Sequence, residues 1–382
     1  MVLFGADCAH RYADLFTGRV ALLTGPSGKT TCGRSTIDVL KEMCNLTLLL
    51  APEHGVRGER AAGELFSDET DPLSGLRVRS LYTKDSKRLS KETLAMFDTL
   101  VYDMADVGCR YYTFITTLRY CIEDCAAAGK RMVVLDRPNP LGDRLSGGVL
   151  QPGNESFVGG YTLPVCYGLT CGELARMMNG ELRCNCDLHV VPCENLSRHM
   201  TFRDWGCEWV PPSVGMPRFE TALLYPAACL IEGTNLSEGR GTDAPFATIG
   251  APFICAEFFA DEFQALACPG ITAEPVHFTP TASKHQGVPC GGIRIRVTDE
   301  HALPDAAMGV KLLDLLRRMY PREFHFLAPV RQDGRPFISL LAGHRDFEDP
   351  DWSKEQILSR YDAQCRAFRI RKADYEWYPK GE

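Results

Sequence analysis

Glu53, His54 and Arg57 fall within five positions of one another, directly after the apolar run Leu46, Leu48, Leu49 and Leu50. The run is too short and too continuous for a surface helix, and it reads as a central parallel strand covered on both faces. In open α/β sheets ligands bind beyond the carboxyl ends of strands, so an acid, an imidazole and a guanidinium placed there form a candidate active-site loop. Gly55 and Gly58 let the backbone turn sharply beside a ligand. The competing reading is a surface turn whose Glu and Arg are solvated and whose His caps a helix.

The elements that must position such a loop recur along the first half of the chain. Arg19 to Thr24 is a second short apolar run, and helical spacing follows at Ile37, Val39, Leu40 and Met43. Thr99 to Asp103 reads as a third strand, with Asp106, Arg110 and Tyr111 beyond its carboxyl end. A helix then runs from Phe114 through Ile115, Leu118, Cys121, Ile122 and Cys125 to a stop at Gly129. Met132 to Leu135 is a fourth strand, ending in Asp136 and Arg137 before the rigid turn Pro138-Asn139-Pro140. This alternation predicts an α/β fold with a parallel, Rossmann-like sheet. Three of its strand ends carry acids and arginines to one rim, which is what a site for a polar substrate requires.

Gly28-Lys29-Thr30 spells the end of a phosphate-binding P-loop, and Leu100 to Asp103 could pass for the strand that holds magnesium. The spacing fails, because the position that needs the first glycine is Leu23, inside a strand. No G-x-G-x-x-G follows any strand either, so neither a mononucleotide nor a dinucleotide cofactor is expected.

Gly63 to Ser90 is polar and turn-rich and reads as a long surface excursion. Glycines and prolines from Gly142 to Gly172 suggest the crossing to a second domain. We set the division near Leu163, giving residues 1–163 and 164–382. Thr170 and Glu173 form a capping box that opens a helix. Trp205 to Pro217 holds two tryptophans and three prolines, suited to a rigid wall. Ile231 to Arg240 offers Glu232, Asn235, Glu238 and Arg240, and Phe278 to Gly287 offers Lys284 and His285, two loops rich in hydrogen-bonding groups. Residues 291–299 (GGIRIRVTD) alternate as a strand, and Asp305 to Tyr320 reads as an amphipathic helix.

The 382 residues exceed what one core usually organises, and 45% hydrophobic with 24% charged residues is ordinary for a globular protein. A net charge of −7 argues against nucleic-acid partners, which need a basic field. Any anionic substrate must therefore be met by local arginines and lysines. The 17 cysteines are scattered, with no C-x-x-C, so no metal site is expected. Many sit in apolar contexts, which suits a reducing compartment. With no span and no leader, the chain as given reads as cytoplasmic, with an exported form if a leader was removed. A homodimer stays open.

Several stretches together resemble one family, the NamZ-like exo-β-N-acetylmuramidases of bacterial peptidoglycan turnover. They include residues 22–40 (LLTGPSGKTTCGRSTIDVL), 48–59 (LLLAPEHGVRGE), 100–118 (LVYDMADVGCRYYTFITTL), 133–143 (VVLDRPNPLGD), 209–217 (WVPPSVGMP), 229–246 (CLIEGTNLSEGRGTDAPF) and 278–287 (FTPTASKHQG). The resemblance implies a Rossmann-like N-terminal domain, a smaller α/β C-terminal domain and an active-site cleft between them. It also implies release of terminal N-acetylmuramic acid from the non-reducing end of peptidoglycan fragments. The family's catalytic glutamate falls on Glu53. Gly25 and Ala105 stand where the family commonly has Asn and Gln. Glycoside hydrolysis needs a second group beside the acid, which Asp106, Asp136, Glu232 or a water held by them could supply, and His54 could tune Glu53 or bind hydroxyls. Arg57, Arg110, Arg137, Arg240 and Lys284 are candidates for the lactyl carboxylate, with Arg57 and Arg110 favoured. Tyr111, Asn139, Asn235, Glu238 and His285 complete the expected substrate contacts. An esterase or amidase is disfavoured by the absence of a G-x-S-x-G elbow, and the alternatives kept are a non-catalytic peptidoglycan- or sugar-binding protein and a hydrolase of a related amino sugar.

Overall fold

The computed structural model describes residues 1–52, 55–57, 69–81, 86–330 and 334–380. Its main sheet is built from β1 (Val20–Thr24), β2 (Leu46–Ala51), β3 (Glu69–Thr70), β4 (Arg77–Ser80), β5 (Thr99–Asp103), β6 (Arg131–Leu135) and β7 (Asp187–Val191). The order across the sheet is β3-β4-β2-β1-β5-β6-β7, parallel throughout except for the small edge strand β3. β1 lies between β2 and β5 with Leu22 opposite Leu49 and Val101.

Both faces are covered, which is why the central strands read as continuous apolar runs. Alternate residues separate into two cores. Leu22, Leu49, Val101 and Val133 pack on one side with Ile37 and Leu40 of the helix Thr36–Met43. Leu23, Leu50, Tyr102 and Val134 pack on the other with Leu118 and Ile122 of the helix Phe114–Ala127 and Leu174 of the helix Cys171–Glu181. The expected capping box is present, with the Thr170 hydroxyl accepting from the Glu173 amide and Glu173 accepting from the Thr170 amide.

Two features differ from expectation. The turn-rich excursion contributes β3 and β4, and β4 pairs in parallel with β2. The sheet also continues to β7, so residues 187–191 belong with the first unit, beyond the division set at 163. A second sheet follows, formed by β8 (Thr248–Ala251), β9 (Ile271–Phe278) and β10 (Cys290–Val297) in the order β8-β10-β9. Its strands are antiparallel, and with the helices Phe219–Ala228 and Ala306–Met319 they enclose a core around Phe246, Ile293 and Leu312.

Arg110 rivets the two halves together. It is 1% exposed, and its guanidinium donates to the carbonyls of Gly148, Leu163, Leu341 and Ala342 at 2.6 to 3.0 Å.

Candidate active site

The carboxyl rim of the parallel sheet opens into two adjoining clefts. The larger, about 410 Å³, is lined by Ser27, Lys29 and Thr30 after β1, Ala105 and Asp106 after β5, Arg137 and Pro138 after β6, and Phe4 and Trp205 opposite. The other, about 400 Å³, is lined by Gly25, Gly28, Val56 and Arg57 beneath Val210 and Val214. Lys29 and Val210 belong to both. The far wall is the segment 202–214, whose rings pack on one another: Phe202 lies 5.4 Å from Trp205 and 5.1 Å from Trp209. The aromatic stretch is thus mainly a packed wall, with one edge turned to the cleft. Among the described residues none that lines either cleft comes from the second sheet; the lining is drawn from the first sheet with the segments that follow its strands, from Phe4 and from residues 202–214.

Asp106 sits in the floor of the larger cleft, 8% exposed. Its Oδ2 accepts from the Gly108 amide at 2.7 Å and from the Tyr167 hydroxyl, while Oδ1 is buried without a partner among the described residues. Burial pushes this carboxyl up to about 6, against the pull of those two donors. Gly108 is required here: its φ is +74°, and a Cβ would meet Asn139 Oδ1 at 2.2 Å.

Arg137 lines the same cleft, yet its head is committed. It donates to both oxygens of Asp103 at 2.6 and 3.1 Å and to the Lys29 carbonyl at 2.9 Å, with side chains 6% and 0% exposed. Arg57 donates to Asp71 at 2.7 and 2.8 Å, and this pairing holds Asp71 well below the usual carboxylate range. Lys29 differs. It is partly buried, and its ammonium has no hydrogen bond or ion pair among the described residues.

Glu53 and His54 lie outside the described residues, although the neighbouring Val56 and Arg57 reach the second cleft. Other expected contacts turn inward. Asp136 is fully buried and accepts from Arg137 and Gly172 amides and from the Thr170 and Tyr378 hydroxyls at 2.5 to 2.8 Å; burial pushes it up to about 6. Tyr111 is 2% exposed and packs edge-on against Tyr225. Asn139 bridges the Leu141 amide and the Leu169 carbonyl. Arg110, favoured for the lactyl carboxylate, is excluded by the carbonyl cage already described.

The second-domain loops interlock instead of lining either cleft. Arg240 pairs with Glu232 at 2.7 Å, and Lys284 pairs with Glu238 at 3.1 Å while donating to the carbonyls of Ile231 and Thr234. His285 Nε2 lies 2.7 Å from the Asn235 carbonyl, and Asn235 ties back to Glu323 and His325. Burial raises Glu232 above its usual range despite Arg240.

The loop after β1 shows why it is no phosphate cradle. The amides of Gly28, Lys29, Thr30 and Thr31 are spent on Gly25, Ser27, Arg34 and Asp7 respectively. A P-loop needs those amides free to wrap an anion. Calorimetry with ATP and magnesium is therefore expected to show no binding, and a micromolar dissociation constant would revive the nucleotide reading.

Models of the two halves of the exo-beta-N-acetylmuramidase NamZ match this sequence, the N-terminal one over residues 20–220 and the C-terminal one over residues 223–378. The chain belongs to the NamZ family. It is 39% identical over 366 residues to the peptidoglycan beta-N-acetylmuramidase NamZ of Bacillus subtilis (strain 168), covering 94% of this chain and 87% of that one. Two crystal structures of DUF1343 family proteins from Bacteroides fragilis NCTC 9343 share the architecture. One is 31% identical with a TM-score of 0.88 over 99% of each chain, the other 28% identical with a TM-score of 0.74 over 100% of each. The family models meet at 220/223, later than the division read from the glycine-rich stretch.

Proposed function

We propose that this protein is an exo-β-N-acetylmuramidase that releases terminal N-acetylmuramic acid from the non-reducing end of peptidoglycan fragments, with Glu53 as general acid and Asp106 as the second carboxyl. Membership of the NamZ family along both halves of the chain carries this reading. The cleft supports it. A glycosidic bond is broken by one group that protonates the leaving oxygen and another that meets the positive charge developing at the sugar carbon. Asp106, with one oxygen held by two donors and the other unclaimed, suits the second task in its ionised form. The substrate is a small saccharide or muropeptide. Among the described residues no helix is long and apolar enough to cross a membrane. Release of free monosaccharide from a chromogenic β-N-acetylmuramide tests the reading, and a protein that binds this sugar without cleaving it would be a binding module.

Asp106 gives a second test with a defined sign. Since its carboxyl titrates at about 6 and acts ionised, kcat/KM is expected to rise with pH and level off above that value. Folding favours the protonated form. That stabilisation is complete below the ordinary value of 3.8 and is lost as pH rises through about 6. Asp106→Asn, whose amide oxygen can still accept from Gly108 and Tyr167, is therefore expected to lower turnover about 100-fold while unfolding no more easily at pH 7.5. An unchanged pH profile in this variant would return Asp106 to a structural role.

A further inference from the structure

Resting on the muramidase reading, we infer that Lys29, assisted by the Ser27 hydroxyl, is the group that recognises the carboxylate of the substrate's lactyl ether. Among the described residues the other cations lining the two clefts have partners: Arg137 is clamped to Asp103 and the Lys29 carbonyl, and Arg57 is paired with Asp71, whose side chain is 2% exposed. Lys29 alone among these three holds an ammonium with no partner among the described residues, and it stands where the two clefts meet. The Ser27 hydroxyl, in the same cleft, is likewise without a hydrogen bond among the described residues. A partly buried cation without a counter-charge loses water and gains nothing in return, a cost that an incoming carboxylate offsets.

The lysine is held ready for this. Its amide donates to the Ser27 carbonyl at 2.8 Å, its carbonyl accepts from Arg137, and it bridges to Ser35. Gly28 beside it is pressed so closely on β1 that a Cβ would meet Thr24 Oγ1 at 1.9 Å. A backbone fixed at so many points leaves only the side chain to order on binding, which keeps the entropic cost low. The described acids lining the larger cleft, Asp106 and Glu208, make no ion pair with Lys29, so its charge is not already neutralised by them.

The experiment compares a β-N-acetylmuramide with the analogue whose lactyl carboxylate is a carboxamide. In Lys29→Met the ratio of acid to amide kcat/KM is expected to fall about 30-fold or more, and Lys29→Arg is expected to restore most of it. Equal losses on both substrates would overturn the assignment while leaving the glycosidase reading intact. Calorimetry with N-acetylmuramic acid and with N-acetylglucosamine separates the two questions. Tighter binding of the muramic sugar that disappears in Lys29→Met upholds the inference even if no bond is ever cleaved, and the same preference in wild type and variant refutes it even if hydrolysis is fast.

Discussion

Glu53→Gln is expected to lower turnover of a natural muropeptide by a factor of about 100 or more while leaving the unfolding transition unchanged. Glutamine keeps the shape and the acceptor oxygen but has no proton to give. Glu53 follows β2, whose residues Leu48, Leu49, Leu50 and Ala51 are fully buried, and it precedes Val56 and Arg57 in the cleft wall. A general acid matters most when the leaving oxygen is basic. The deficit is therefore expected to shrink on an aryl glycoside whose leaving group departs readily without a proton. Rates within threefold of wild type on the muropeptide would remove Glu53 from the mechanism, and an equal deficit on both substrates would move it from proton donor to some other role.

The largest effect on stability is expected from Arg137→Ala. The substitution leaves Asp103, 0% exposed, as a buried carboxylate without its partner and removes the donor to the Lys29 carbonyl. Breaking one side of a buried ion pair typically costs about 3–5 kcal/mol, because the stranded charge keeps its desolvation penalty and loses its attraction. Removing both charges, in Arg137→Met with Asp103→Leu, is expected to recover much of that loss in chemical denaturation. A single variant within about 1 kcal/mol of wild type would mean that water reaches Asp103 once the arginine is gone.

The central strands were legible because they are buried on both faces and so carry unbroken apolar runs. β4 was not, since Arg77 and Arg79 interrupt it on an outer strand with only Val78 buried. β9 was hidden by Pro275, which cannot donate to a ladder and which the structure tolerates because β9 is an edge strand. Within the site, sequence placed Asp106 and Arg137 on the correct rim, since a strand's carboxyl end can be read from its apolar run. It could not give the direction of each side chain beyond that end. Asp136 and Arg110 differ from their cleft-facing neighbours by one or a few positions, and only the packed fold turns them inward. Lys29 was missed for another reason: its loop was weighed solely as a nucleotide cradle, and failing that spacing says nothing about a lysine acting through its side chain.

Phe4 and the wall it packs on, with its ring 5.7 Å from that of Trp205, come from opposite ends of a long stretch of chain. The Val2 amide donates to the Trp205 carbonyl at 3.0 Å, Leu3 pairs with Glu194, and Asp7 ties the Phe4 amide to Thr31. About two hundred residues of chain must be closed before this side of the cleft exists, which costs somewhat more loop entropy than pairing the sheet's neighbouring strands, since these lie closer in sequence and the cost grows only slowly with length. Occupancy and anchorage of the first residues are consequently linked equilibria. A saccharide that touches both walls and binds only while the amino-terminal segment is docked makes that segment harder to detach, by RT ln(1 + [L]/Kd), and whatever undocks the segment lowers the apparent affinity for the sugar by the fraction left docked.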